Sequence, residues 1–313
     1  MTAGSTGSRK VGNERKTASG TGRPRGNRGG PARNARRTGT AAFKKACVYA
    51  ILVVITIVTV YPIVQIFGVS LRPSNQLYST SLRIIPEDAT LAAYRTVLFE
   101  KDFFTWLRNS VIVAIAVSVF GVTLASTSGY AFSRFRFRGR KTGLVTVLVT
   151  QMFPATMLLL PLYVIMKRLN LIDTLLGIII AYTATALPFC IWTMKGYYET
   201  IPRDLEEAAV IDGTTPLGAF LRVTLPLSAP ALVITALFSF MAGWSEFIVA
   251  RVIINRQSLY TLPLGLESLS STFQTEWANY AAGSIIVCIP VVVLFLLLSR
   301  FLISGLTLGG VKG

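Results

Sequence analysis

The segment 204–226 holds acidic and small residues whose spacing is suited to contact with a partner. Glu206 and Glu207 fall in the first turn of an expected short helix, where carboxylates complement the positive end of the helix dipole. Asp204 is the expected N-terminal cap of this helix, and Gly213 is its expected end. These residues indicate charged and hydrogen-bonding contacts rather than the making or breaking of covalent bonds.

A second short helix is predicted directly after the first. Thr215 supplies its cap, Pro216 occupies its first position, and Pro226 closes it. Ala208 and Ala209 on the first helix are small enough for another surface to approach closely. We expect a helix-turn-helix that docks in a groove of a partner. An ordinary connector lying on the membrane surface is the alternative.

Catalytic and metal-binding chemistry has little support in the sequence. The 313 residues include no histidine, which removes Ser-His-Asp, Cys-His and His-zinc sites. Cys47, Cys190 and Cys288 sit in separate apolar runs without CxxC spacing. The sequence also lacks the GxxxxGK[ST] phosphate loop, so the chain does not bind ATP by that means. We predict no catalytic residue, no metal, no cofactor and no enzymatic activity of the chain itself.

The composition places most of the chain in lipid, because 52% of the residues are hydrophobic and only 14% are charged. Six apolar runs are long enough to cross a hydrocarbon core of about 30 Å as helices. Backbone groups in lipid must be paired within the segment, so each run is expected to be an α-helix. The predicted fold class is an all-α polytopic membrane protein with six transmembrane helices. The six runs are residues 46–70, 109–132, 144–166, 175–194, 227–249 and 281–303.

The formal net charge of the chain is +17, and much of this positive charge is concentrated near the N-terminus. Residues 1–42 contain almost no large apolar side chain, so they are predicted to form a disordered basic cytoplasmic tail. A position near anionic lipid head groups is expected, and a nucleic-acid-binding arm is the alternative. Arg36 and Arg37 resemble a twin-arginine signal, but the apolar run after them is too long for one. An uncleaved first span at 46–70 is therefore predicted.

Basic residues in the loops set the predicted orientation. Arginine and lysine crowd the connection from Arg134 to Lys141 between the second and third runs. With six spans, both termini and the loop at 195–225 are then expected in the cytoplasm. The segments expected on the outer side are 71–108, 167–174 and 250–280.

Two features inside the apolar runs point to a pathway through the bundle. Pro154 and Pro161 fall on one face of the third run and free backbone carbonyls that need other partners. A helix bundle that bends around a pathway is one interpretation of these prolines, and an ordinary kink in a membrane helix is the other. Glu246 is a carboxylate well inside the fifth run, where a charge requires water or a partner. A wet cavity or contact with another subunit is one interpretation of Glu246. An ion pair with Arg251 is the other.

The run Glu207-Ala208-Ala209, followed by Asp212-Gly213 and by Leu225-Pro226, resembles the EAA loop of binding-protein-dependent ABC importer permeases in type and spacing. The closing run from Gly305 to Gly313 resembles the C-terminal signature of carbohydrate importer permeases, assigned here to 301–313. The chain is similar to the six-span permease subunits of maltose/maltodextrin transporters. The likeness covers roughly residues 46–313, and the long basic tail departs from it.

The resemblance implies a type I ABC importer permease architecture, with the transmembrane permease domain at 105–300 and the coupling loop at 204–226 within it. It implies a permease subunit for maltose, maltodextrin or another oligosaccharide, located in the cell membrane of a prokaryote. Such a subunit forms half of the pathway, while a separate subunit hydrolyses ATP. The residues that the resemblance assigns to coupling with the ATPase are Glu207, Ala208, Ala209, Asp212 and Gly213.

The resemblance also implies partners: a second permease subunit, a cytoplasmic ATPase dimer, an extracytoplasmic sugar-binding protein, membrane lipid and the sugar, with no nucleic acid. Glu246, Phe273, Gln274 and Trp277 are expected to contact the pathway or the binding protein. An aromatic belt at the membrane interface is the alternative for the aromatic residues. For the chain as a whole, the alternatives are a permease for a solute such as glycerol phosphate, or a membrane-tethered binder of nucleic acid or lipid.

Overall fold

The computed structural model describes residues 32–73, 85–270 and 275–310, with side chains described at 44–73, 85–154, 156–270 and 275–299. The chain divides into two units, residues 1–59 and 60–313. The described residues form helices joined by short connections, apart from an isolated bridge between Ser270 and Thr275. This arrangement confirms the predicted all-α fold class.

The described residues include five long helices. They are α1 (Ala32–Ser70), α3 (Phe103–Arg134), α6 (Leu175–Tyr198), α10 (Ala229–Ser245) and α13 (Trp277–Gly310). Shorter helices connect them: α2 (Ala92–Phe99), α4 (Arg140–Thr150), α5 (Leu159–Arg168), α7 (Asp204–Ile211), α8 (Pro216–Ala219), α9 (Leu225–Leu227), α11 (Ile248–Ile253) and α12 (Leu262–Ser268).

Four helices in the described part of the chain are long and apolar enough to cross a membrane. They are Lys44–Ser70, Phe103–Arg134, Leu175–Tyr198 and Trp277–Ser299. A bent pair, Pro216–Leu227 with Ala229–Ser245, gives a fifth if it is taken as one span. The described residues thus contain four or five such spans, and the predicted number of six transmembrane helices stays a prediction.

The predicted third span, 144–166, does not form one continuous helix. Helix α4 ends at Thr150, and Pro154 precedes a 3₁₀ turn at Ala155–Leu158 that leads into α5. Proline has no backbone N–H and disfavours helical geometry in the residue before it, which accounts for the break. Pro161 lies in the first turn of α5, where a missing N–H costs no hydrogen bond, so it leaves that helix intact.

The predicted fifth span, 227–249, is interrupted at both ends. The chain bends by 79° between Leu227 and Ala229, and the helix after the bend stops at Ser245. Pro226 therefore does not close the preceding helix as expected, because it sits in the first turn of α9, where proline is tolerated.

Helix α1 begins at Ala32, inside the segment predicted to be disordered. Residues 32–42 are thus helical in the structure, while 1–31 lie outside the described residues. At the other end, α13 continues to Gly310, so the backbone of the predicted signature at 301–310 is helical. Residues 311–313 also lie outside the described part.

Helix α3 packs closely against α6 and α10 through small residues. A Cβ placed on Gly129 lies 2.8 Å from Cβ of Met194, and one placed on Gly243 lies 2.7 Å from Cα of Ala114. Such short distances leave no room for a side chain, so the backbones approach as in other membrane helix pairs. This packing fixes the position of the last turn of α3, from which the candidate site is built.

Candidate functional site

Helix α7 opens the predicted helix-turn-helix. The amides of Glu206 and Glu207 donate to the carbonyl of Arg203 at 2.9 and 3.0 Å, so the first turn closes on Arg203 and the helix begins at Asp204. The prediction that Asp204 is the cap is wrong by one position, because this residue is already helical. Its carboxylate and those of Glu206 and Glu207 nevertheless lie in the first turn and complement the helix dipole, as expected.

Gly213 forms the turn that ends α7. Its φ of +86° lies in the left-handed region, which glycine adopts without the steric penalty that other residues incur. The amides of Gly213 and Thr214 donate to the carbonyls of Val210 and Ala209, each at 3.0 Å. The carbonyls at the end of α7 are therefore satisfied within the turn, as is typical of a glycine-terminated helix.

Helix α8 begins as the sequence predicts. The hydroxyl of Thr215 accepts a hydrogen bond from the Gly218 amide at 3.1 Å, and Pro216 is the first helical residue. The helical path then continues through a π-helical turn at Phe220–Thr224 and through α9 to the 79° bend before Ala229. Helix α8 is thus joined to the start of α10 by helical turns and this one bend.

The carboxylate of Glu206 is held against the end of α3. Oε1 of Glu206 lies 2.7 Å from Nε of Arg134, and Oε2 accepts a hydrogen bond from the Tyr130 hydroxyl at 2.9 Å. Nη2 of Arg134 also donates to the carbonyl of Ile201 at 2.9 Å. The side chains of Arg134 and Glu206 are only 8% and 13% exposed. Charge-assisted hydrogen bonds shielded from water are strong, so these contacts tie α7 to α3.

The five predicted coupling residues lie together on α7 and the turn after it. Glu207, Ala208, Asp212 and Gly213 are exposed, and Ala209 is half-buried. None of them belongs to the buried core of the described chain. The structure therefore brings these residues together on a surface, where their functional role stays a prediction.

Apolar side chains surround this acidic surface. Ile211 is 85% exposed and Leu217 is 66% exposed, and Val210 lies beside them. A groove of about 380 Å³ separates α7 from α8 and the end of α3. Its lining residues are Tyr130, Glu206, Glu207, Val210, Ile211, Pro216 and Ala219. Exposed apolar side chains grouped in this way mark interaction surfaces.

Glu246 lies in the break between α10 and α11. Its two carboxylate oxygens accept from the Val249 amide at 3.1 and 3.0 Å, and Oε2 lies 3.4 Å from the Ala250 nitrogen. The carboxylate thus satisfies amides at the start of α11, where the helix dipole favours a negative charge. No ion pair joins Glu246 to Arg251 in the described structure. The contact to the pathway or another subunit stays a prediction.

The other expected contacts lie around the start of α13. Trp277 is the first residue of this helix and is half-buried, whereas Phe273 and Gln274 lie outside the described residues. Glu276 accepts hydrogen bonds from Nδ2 of the Asn279 side chain at 2.7 Å and from Nζ of Lys101 at 3.1 Å. The Asn279 contact and the nearby Lys101 charge hold the pKa of the Glu276 carboxyl below its ordinary value.

The contact between α3 and α7 was not predicted from the sequence. There, Arg134 indicated only the orientation of the chain, and Glu206 indicated only a charge near the helix dipole. One signal was available: Tyr130 and Arg134 stand four residues apart and therefore share a face at the end of an apolar helix. A polar face at that position needs a partner, which Glu206 supplies.

The chain is similar to proteins of a known transport family. Residues 118–306 match the family described as "Binding-protein-dependent transport system inner membrane component". The diacetylchitobiose uptake system permease protein DasC of Streptomyces coelicolor is 34% identical over 83% of this chain and 95% of its own length. The maltodextrin transport system permease protein MdxG of Bacillus subtilis is 34% identical over 86% of this chain and 96% of its own length. The maltose/maltodextrin transport system permease protein MalG of Photorhabdus laumondii is 37% identical over 81% of this chain and 90% of its own length.

A solved structure shows the same fold. It is a chain from the crystal structure of a bacterial ABC transporter involved in the import of the acidic polysaccharide alginate, superposed with a TM-score of 0.73 and 24% sequence identity. The match covers 83% of this chain and 97% of that one. Together with the family match and the apolar helices, it defines a multi-pass membrane protein. The chain therefore belongs to the family of inner membrane components of binding-protein-dependent ABC transport systems.

Proposed function

We propose that the chain is a permease subunit of an ATP-driven, binding-protein-dependent importer whose substrate is maltose, maltodextrin or another oligosaccharide. Its relatives are named as permease proteins for diacetylchitobiose, maltodextrin and maltose/maltodextrin, and the alignments cover at least 90% of each. These names support a role in transport rather than catalysis, and they favour an oligosaccharide as substrate. The partners are a second permease subunit, an ATPase dimer and an extracytoplasmic sugar-binding protein.

The observation that carries the proposal is the open helix-turn-helix formed by α7 and α8. It combines exposed carboxylates with exposed Ile211 and Leu217, and the ion pair between Arg134 and Glu206 fastens it to a long apolar helix. A short helix with these properties is suited to lie in a groove of another protein. Glu207 supplies a charged contact to the ATPase, and Ala208 and Ala209 permit a close approach.

Two routes lead from this surface into the membrane-embedded helices. The first runs through Glu206 and Arg134 into α3. The second runs from α8 through the π-helical turn to the bend before Ala229, and so into α10. A displacement of α7 and α8 by the ATPase would reach both helices, which supports a role for the loop in coupling nucleotide-driven movement to the pathway.

The proposed orientation places this surface in the cytoplasm of a prokaryotic cell, where the ATPase and its ATP are found. The basic connection from Arg134 to Lys141 lies at the same end of α3 as the Glu206 contact. Basic loops are retained on the cytoplasmic side, which supports the assignment. With both termini also in the cytoplasm, the end of α10 at Ser245 and the start of α13 face outward.

Uptake of radiolabelled maltose and maltotriose tests the proposal in cells that contain the partner permease, the ATPase and the binding protein. Gly213→Asp is expected to abolish uptake without reducing the amount of protein in the membrane, because it adds a side chain and a negative charge to the exposed turn, at a φ of +86°, that is proposed to contact the ATPase. Gly196→Asp is the matched control, since Gly196 is exposed in α6 and an added Cβ meets no atom within 4 Å at either position. Normal uptake by an equally abundant Gly213→Asp variant would remove the coupling role.

The uptake assay also tests two further points separately: which solute is carried, and whether the chain is an importer subunit at all. If the wild-type chain imports neither sugar, the oligosaccharide assignment fails for maltodextrins, and solutes such as glycerol phosphate are then screened on the binding protein. Deletion of residues 1–40 tests the alternative of a membrane-tethered binder that acts through its basic tail. The importer proposal predicts nearly normal uptake by this deletion variant.

A further inference from the structure

A second cavity lies at the break between α10 and α11, at the end of α10 away from the helix-turn-helix. Its volume is about 440 Å³, and its walls come from α10, α12, α13 and the break itself. Aromatic side chains line it at Trp244, Phe247 and Tyr280, together with polar ones at Ser245, Glu267 and Ser284. The size lies within the range of cavities that hold small ligands.

Two polar groups in this cavity have no partner among the residues that the structure describes. The carboxylate of Glu267 makes neither an ion pair nor a hydrogen bond there, and the hydroxyl of Tyr280 makes none either. Both side chains are half-buried, so each has a free polar group that faces a partly enclosed space. A polar ligand would satisfy groups that otherwise depend on water alone.

The aromatic residues give the cavity a rigid wall. The indole nitrogen of Trp244 donates to the Val287 carbonyl at 3.2 Å, and the ring stacks on Phe240 with centroids 5.4 Å apart. Trp244 is therefore fixed in place, while Phe247 and Tyr280 are only half-buried and leave ring surface available. The exposed ring surface can pack against an apolar face of a ligand, and the Tyr280 hydroxyl can form a hydrogen bond with a polar group at the edge of that ligand.

This combination fits a sugar better than a lipid tail. A sugar ring presents apolar C–H faces to aromatic rings and hydroxyl groups to a carboxylate, which accepts several hydrogen bonds. An acyl chain offers nothing to Glu267, and a carboxylate in contact with hydrocarbon is costly. Interrupted helices such as the break at Glu246 and Phe247 also form substrate sites in other membrane transporters.

We propose that this cavity is an oligosaccharide subsite contributed by this subunit. Glu267 accepts hydrogen bonds from sugar hydroxyls, and Phe247 and Tyr280 pack against a sugar ring. The assignment rests on the proposed function and extends it, because it names residues that touch the substrate. It is separate from the coupling surface, which lies at the other end of α10.

Cys288 provides a direct measure of occupancy, because it lines the cavity and its thiol is free and exposed. The assembled importer, with its partner permease, ATPase and binding protein, is treated with N-ethylmaleimide in the presence of maltose, maltotriose or diacetylchitobiose. Mass spectrometry quantifies the peptide that contains Cys288, so Cys47 and Cys190 need no replacement. At a sugar concentration about ten times the Kd of the cavity, labelling of Cys288 slows about tenfold by mass action.

Two variants keep the shape of the cavity and remove one polar group each. Glu267→Gln removes the charge, and Tyr280→Phe removes the hydroxyl. For Glu267→Gln, the sugar concentration that gives half-protection is expected to rise about tenfold or more, since hydrogen bonds to charged groups are the stronger ones. Tyr280→Phe is expected to produce a smaller rise. Glu100→Gln is the control, because Glu100 is an exposed carboxylate that does not line this cavity.

The outcomes separate the subsite from the proposed function. Uptake of a sugar by the wild-type importer without any slowing of Cys288 labelling would overturn the subsite and leave the function intact. Failure of the wild type to import any of the three sugars would overturn the oligosaccharide assignment, and the subsite with it. Equal protection in wild type, Glu267→Gln and Tyr280→Phe would show that the sugar does not use these residues and would also overturn the proposal.

Discussion

Nε of Arg134 and Oε1 of Glu206 lie 2.7 Å apart, with both side chains almost fully withdrawn from solvent. The pair joins the last turn of α3 to the first turn of α7. A second ion pair nearby is more exposed to solvent. Nζ of Lys195 lies 2.8 Å from Oε2 of Glu199, one helical turn further along the chain, and the Glu199 side chain is 44% exposed. The two pairs allow a buried contact to be compared with an exposed one at the same end of the bundle.

Glu206→Ala is expected to lower the free energy of unfolding by about 3–5 kcal/mol, because it leaves the Arg134 charge buried without its partner. Uptake should be lost together with this stability, since α7 is no longer fastened to α3. Glu199→Ala is the control. It removes the pair with Lys195 and a second pair with Arg140 at 3.6 Å, and each should cost less than about 1 kcal/mol, as exposed pairs do. Thermal unfolding of the purified variants and uptake in cells measure both effects. Equal losses in the two variants would contradict the special role of the buried pair.

Substitutions at Gly213 are expected to follow the cost of its backbone conformation. Gly213→Ala should cost about 1–2 kcal/mol at a φ of +86°, and Gly213→Asn less, because asparagine adopts left-handed geometry more readily. No neighbouring atom lies within 4 Å of an added Cβ, so steric contact does not contribute. Gly196→Ala should instead be neutral or slightly stabilising, as in other helices. Uptake and thermal unfolding across the series check this order, and an asparagine variant worse than alanine would refute it.

Thr215→Ala is expected to destabilise the start of α8 by about 1 kcal/mol, because the Gly218 amide loses the hydroxyl that it donates to. Thr215→Ser keeps the acceptor and should behave as wild type. Hydrogen–deuterium exchange at the Gly218 amide gives a local measurement, with faster exchange expected in the alanine variant alone. Unchanged exchange in Thr215→Ala would mean that the cap contributes nothing.

The contact of Glu276 with Asn279 and Lys101 should make stability depend on pH. The pKa of Glu276 in the folded chain lies below the ordinary value of 4.5, so its stabilising effect is present above pH 4.5. The effect is lost as the pH falls through the folded pKa, where the carboxylate takes up a proton in both states. Glu276→Gln is therefore expected to lower the unfolding temperature at pH 7 and to have little effect at strongly acidic pH. A deficit of equal size at both pH values would exclude ionisation as its cause.

Local features of the helix-turn-helix could be predicted from the sequence because neighbouring residues determine them. Gly213 supplies the left-handed turn, Thr215 supplies the cap, and Pro216 begins the next helix, all as expected. The start of α7 was misplaced by one residue, since the backbone carbonyl of Arg203 closes the first turn without help from a side chain.

Contacts between distant segments could not be obtained in this way. The pairing of Arg134 with Glu206 depends on how α3 packs beside the loop, and the sequence gives only the chemical types. Glu246 shows the same limit: both interpretations overlooked the amides of Val249 and Ala250, which became available only because the helix breaks before them. A strongly apolar run predicts burial in the membrane, but it does not reveal where prolines and polar contacts interrupt the helix.

The break between Thr150 and the turn at Ala155–Leu158 bears on how tightly the surrounding bilayer can seal against the protein. A continuous helix pairs its own backbone groups, whereas helix ends in the middle of an apolar run need hydrogen bonds that lipid tails do not provide. Residues 151–154 are exposed on this chain, although Nε2 of Gln151 donates to the Thr185 carbonyl of α6 at 3.2 Å. Lipid tails alone are therefore a poor neighbour for this stretch, and we expect another protein surface or water to pair its free backbone groups.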